Sequence, residues 1–97
     1  MAAIRILRDE YPGDKAWGRF VAVFRPSWDS RTDKEFYLGH LKDEELAVVL
    51  AGEMGRRAVE WFSSPAQALE GRNPLDVLTT EQSGLQILRT LLMRMPR

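Results

Sequence analysis

The sequence predicts a mainly α-helical fold: a small single-domain bundle of short capped helices with a long C-terminal helix and an irregular N-terminal third. Three observations predict it. Helix-start signatures stand at Ser64-Pro65, Asn73-Pro74 and Thr79-Thr80. Apolar residues recur at helical spacing in 46–50 and 85–95. A length of 97 residues, 44% hydrophobic and 29% charged, suffices for one core and leaves no room for a second full domain.

Taken in order, Ile4 and Ile6 read either as a short strand or as an arm packed on the rest. Tyr11-Pro12-Gly13-Asp14 is a turn signal, and Pro26 to Ser30 with Arg31-Thr32-Asp33 reads as an exposed loop. Between them Trp17, Phe20, Val21 and Phe24 recur at helical spacing behind Asp14. Residues 20–24 are also aromatic and β-branched as a strand would be, and the reading favours helix. The division is an arm and irregular segment over 1–41 and a helical domain over 42–97.

Asp43, Glu44 and Glu45 put negative charge in a first turn, where the helix dipole favours it, and Leu46, Val49 and Leu50 follow at i, i+3 and i+4. Gly52 and Gly55 interrupt, after which Met54, Ala58, Trp61 and Phe62 line one face of a second stretch ending near Ser63. Ser64 as a cap, Pro65 at the first helical position and Gln67 reaching back predict a short helix closed by Gly71. Asn73 and Pro74 predict another, carrying Leu75, Val77 and Leu78. Thr79-Thr80-Glu81-Gln82 is read as the start of the last helix. Its apolar residues, Leu85, Ile87, Leu88, Leu91, Leu92 and Met95, span about 160°, wider than the roughly 100° stripe of a surface helix, so burial on two sides is expected.

The composition narrows the function. Charges balance, 14 Lys and Arg against 14 Asp and Glu, so no overall positive field draws the chain to nucleic acid. No cysteine is present, which removes disulfides, thiolate metal sites and thiol nucleophiles and suits a reducing, cytoplasmic setting. The N-terminus lacks the apolar stretch of a secretory signal, and the longest aliphatic run, Leu46 to Ala51, falls far short of the roughly 20 residues that span a bilayer. His40 is the single histidine and the acidic residues are scattered, so no metal, no cofactor and no catalytic constellation are expected; the chain is read as no enzyme.

Two features suit protein binding. Trp61 and Phe62 are aromatics of the kind that anchor interfaces, though core packing explains them as well. Arg89, Arg94 and Arg97 follow the last acid, Glu81; they either complement the helix dipole or, within Leu92-Met93-Arg94-Met95-Pro96-Arg97, form an apolar and cationic tail for an anionic pocket.

The run Ala58-Val59-Glu60-Trp61-Phe62-Ser63-Ser64-Pro65, then Leu69-Glu70-Gly71-Arg72-Asn73-Pro74-Leu75-Asp76-Val77-Leu78, Gly84 and Ile87-Leu88 resembles the toxin-binding domain of Xre/MbcA/ParS antitoxins, a bacterial family. The resemblance covers residues 56–97. It implies an antitoxin of a type II toxin–antitoxin pair, which neutralises a RES-domain toxin, an NAD-consuming or ADP-ribosylating enzyme, by covering its active site. It further implies a homodimer or a heterotetramer with the toxin.

Trp61, Pro65, Leu69, Gly71, Pro74, Leu75 and Gly84 match the family motif and are read as scaffold. Leu88, Leu91, Leu92, Arg94, Met95, Pro96 and Arg97 are read as the partner-binding residues. The helix-turn-helix domain of typical members is not matched in full. Glu45 to Ala51 followed by Arg56 to Val59 is similar to such a motif with a spacing about two residues too long, so DNA binding is doubtful. A small DNA-binding regulator and a non-catalytic adaptor stay open as alternatives.

Overall fold

The stretch Leu46 to Ala51 is apolar on every side, and a helix with no polar face has to be surrounded. In the computed structural model, which describes residues 2–95, it is the centre of the molecule. All of Leu46 to Ala51 is buried within α4, Glu44–Met54, and α2, Asp14–Asp29, α3, Lys34–Leu41, and α5, Arg57–Phe62, pack around it. The helix starts where the acidic cluster predicts: an Asp43 carboxylate oxygen accepts the Leu46 N–H at 3.0 Å, satisfying a donor that the first turn leaves without a partner. Asp43→Ala is expected to cost about 1 kcal/mol and to lower the melting temperature by about 4–8 °C, read by thermal denaturation.

The N-terminal third is helical, not irregular, and no strand occurs among the described residues. Residues 2–9 form α1, Ala2–Asp9, in which Ile4 and Leu7 turn inward one helical turn apart. Ile6, which paired with Ile4 in the strand reading, is 45% exposed. Helix α2 confirms the helical reading of 15–25 and then continues through Pro26, where a loop is predicted. Proline costs several kcal/mol inside a helix because it lacks the N–H and crowds the carbonyl one turn back. Here it lies in the last turns, and the turn after it carries Trp28, buried to 4% exposure and edge-on to the buried Tyr37 ring at 6.1 Å. Tertiary packing overrides the local signal. With 16 residues, α2 and not the C-terminal helix is the longest.

Beyond α5 the chain makes a single 3₁₀ turn, Gln67–Leu69, then α6, Pro74–Thr80, and α7, Gly84–Arg94. Burial on two sides of α7 is what its wide apolar face predicts, and it packs against both α1 and α6. The α7 start differs from expectation. Thr79 and Thr80 lie in the last turn of α6, where their hydroxyls donate back to the Leu75 and Asp76 carbonyls at 2.9 and 2.7 Å, and the last helix begins at Gly84. No described helix is long and apolar enough to cross a membrane.

Candidate partner-binding surface

The motif residues assemble one corner of the molecule. Leu69 is fully buried and fixes the 3₁₀ turn to the core. Glu70 and Gly71 both take left-handed backbone, φ 60° and 84°, reversing the chain so that the Ala66 N–H reaches the Arg72 carbonyl at 3.0 Å and the Gly71 N–H reaches the Ala66 carbonyl at 3.0 Å. That reversal leaves room for one 3₁₀ turn where a short α-helix is predicted. Ser64 does not cap it: its hydroxyl donates back to the Glu60 carbonyl at 2.6 Å, closing α5, while Pro65 is exposed in the connection. Asn73 caps α6 as expected, its side-chain oxygen accepting the Asp76 N–H at 2.7 Å with Pro74 buried at the helix start and Leu75 half-buried behind it.

Arg72 ties the corner together. Its guanidinium donates to Asp76 at 2.7 Å, to the Thr80 hydroxyl at 2.6 Å and to Glu81 at 2.5 Å, so one side chain spans the reversal and both ends of α6. Those carboxylates hold its proton more firmly than usual, Glu81 foremost. Glu81 also accepts from Arg8 of α1 at 3.2 Å, and Glu70 accepts the Ile4 N–H at 3.1 Å. The N-terminal helix is thereby fastened to the motif corner.

The residues read as partner-binding separate into two groups. Leu88 and Leu92 are each 1% exposed, within the core shared by α1, α6 and α7, because α1 lies along α7 and buries the inward face. In the free chain Leu88 and Leu92 are therefore part of its own core and not of an open contact face. Leu91 and Met95 are half-buried at the other edge of that core, and Arg94 is exposed, paired with Glu10. Pro96 and Arg97 lie outside the described residues. Arg89, also in the basic run, faces inward: it donates to Glu45 at 3.2 Å and to the Tyr11 hydroxyl at 3.0 Å and lies over the Trp17 ring at 5.2 Å. Trp17 donates to the same Glu45 carboxylate at 2.9 Å.

Met54, Arg57, Glu60, Trp61 and Ser64 line an open groove of about 400 Å³ over the junction of α4 and α5. Gly55, with φ 63°, ends α4 and lets α5 follow at once. The sequence places Met54 and Trp61 on one face. It gives no sign that Arg57 and Glu60 complete a concavity, since charged residues at that spacing look like an ordinary solvated face.

A family model, the antitoxin Xre/MbcA/ParS C-terminal toxin-binding domain, matches residues 46–96. The chain belongs to this antitoxin family. The match contains the groove, the motif corner and α7, and the three helices outside it, α1 to α3, complete the core around the matched region. No curated protein and no solved structure matches the chain. In the stretch similar to a helix-turn-helix, α4 is buried, α5 has six residues, and Arg56 stacks on the Phe36 ring at 4.1 Å with Asp33 at 4.0 Å. His40 sits in the last turn of α3 with Nδ1 2.7 Å from the Phe36 carbonyl, and no group of three or more metal-ligating side chains gathers among the described residues.

Proposed function

We propose that this antitoxin neutralises a RES-domain toxin by direct binding, with the C-terminal end of α7 and the residues after it covering the toxin's active site. The observation that carries the reading is the match of residues 46–96 to a toxin-binding domain. The chemistry of the α7 end agrees with it. Arg94 has a planar fork suited to carboxylate or phosphate, and Leu91 and Met95 supply adaptable apolar surface beside it. Glu10, which holds Arg94 in the free chain, is itself exposed, so the pair costs little to exchange for a partner's anion. The scaffold role falls to Pro65, Leu69, Gly71, Pro74, Leu75, Gly84 and Trp61, the last packed against the core on one side and open to the groove on the other, and the antitoxin forms a homodimer or a heterotetramer with the toxin.

Co-expression with a RES-domain toxin, followed by co-purification and an NAD-depletion assay, tests the reading. A stable complex that stops NAD loss is the expected result; NAD loss unchanged by the antitoxin refutes it. Removing residues 94–97 is expected to weaken inhibition by about 30-fold, the scale of losing one interface hot spot. The melting temperature should fall by less than about 4 °C, since an exposed ion pair contributes under about 1 kcal/mol. Inhibition retained in full by the shortened chain would place the contact elsewhere.

A further inference from the structure

We infer that the groove over the α4–α5 junction is a second anchor for the toxin, taking an amphipathic segment that presents a large apolar side chain to Met54 and Trp61 and a carboxylate to Arg57. The inference rests on the antitoxin reading above and concerns a surface remote in sequence from the α7 end.

Three observations point there. Arg57 and Trp61 stand one turn apart on α5, and Met54 at the end of α4 and Ser64 just past α5 extend the lining on either side, as a seat for a partner segment requires. Methionine, arginine and tryptophan, three of the five lining residues, are the types enriched at the buried centre of protein interfaces. The groove is open to solvent and about 400 Å³, which suits side chains projecting from a protein segment better than an enclosed small ligand.

The charges then select the occupant. Most arginines of the chain, Arg8, Arg25, Arg31, Arg72, Arg89 and Arg94 among them, are paired with its carboxylates, whereas Arg5, Arg19 and Arg57 have no such pair among the described residues. Arg57, in the groove wall, has no ion-pair partner among the described residues, and neither has the Glu60 carboxylate three residues on. An unpaired guanidinium lining the same groove as an indole favours an incoming carboxylate with an apolar neighbour, while Glu60 excludes a segment carrying two adjacent acids. The whole groove lies within the residues that match the toxin-binding domain.

The test uses the full chain, with and without the RES-domain toxin. Arg57→Glu alters an exposed side chain, so its melting temperature should stay within about 2 °C of the unmodified chain, while its affinity for the toxin falls about 30-fold. A second measurement reports the contact itself. The chain has three tryptophans, of which Trp17 and Trp28 are 1% and 4% exposed and Trp61 alone lines the groove. With 5-fluorotryptophan in the antitoxin and none in the toxin, the ¹⁹F line assigned to Trp61 through Trp61→Phe should move on complex formation and the other two should stay. A complex whose affinity is unchanged by Arg57→Glu, or in which the Trp61 line does not move, overturns the groove and leaves the antitoxin reading standing. No complex with the unmodified chain overturns both.

Discussion

Gly84→Ala is expected to destabilise the fold by about 3 kcal/mol and to lower the melting temperature by about 12–24 °C, although alanine in a helix normally gains about 1 kcal/mol over glycine. The sign is set by what the new methyl would meet. A Cβ on Gly84 would stand 2.4 Å from the Val77 carbonyl oxygen and 3.0 Å from both the Cα and the carbonyl oxygen of Leu78. All three are backbone atoms of α6, so no side-chain rotation relieves the clash; α6 and α7 must move apart, which loosens the packing of Val77 and Ile87, both fully buried. Gly18→Ala supplies the opposite case. Gly18 lies inside α2 with nothing within 4 Å of its Cβ position, so alanine there should stabilise by about 0.5–1 kcal/mol. Thermal or urea denaturation of the two variants checks both signs, and a Gly84→Ala chain as stable as the original would mean that the α6–α7 approach is not as close as described.

The elements legible in the sequence were those whose cause is local. Asp43 and Asn73 could be read as caps because each side chain bonds an N–H three residues on, within reach whatever the rest of the chain does. Thr79 and Thr80 were misread for a related reason: the same hydroxyls can cap a helix start or bond the carbonyl of the turn before. The choice is made by Ser83 in left-handed backbone and by Gly84 packed on α6. Pro26 was misread because Trp28 meets Tyr37 across two helices, a contact with no signature in the residues near the proline. At the site, the motif residues fix the corner around Leu69 and Gly71, whereas the groove turns on Arg57 and Glu60 being unpaired, a property of the folded chain alone.

Leu88→Ala is the sharper test of where the partner-binding surface ends. A leucine on a contact face would lose affinity and leave the melting temperature nearly unchanged, since surface truncations rarely exceed about 0.5 kcal/mol. Leu88 is 1% exposed between α1 and α6, so its truncation should open a cavity and cost about 3 kcal/mol, within the usual range for a core leucine. That is a fall of about 12–24 °C in a domain of this size. Leu91→Ala, half-buried at the rim, should cost well under half as much. The contrast also weighs the N-terminal helix. Ile4 and Leu7 close over the same core, and Arg8 and Glu10 pair with Glu81 and Arg94, so α1 belongs to the folding unit even though the family match begins at residue 46. Deleting residues 1–10 should therefore lower stability at least as much as Leu88→Ala, because it uncovers Leu88 and Leu92 together. Equal melting temperatures for the intact and shortened chains would instead make α1 a separable arm, and α7 would then present its full apolar face to a partner.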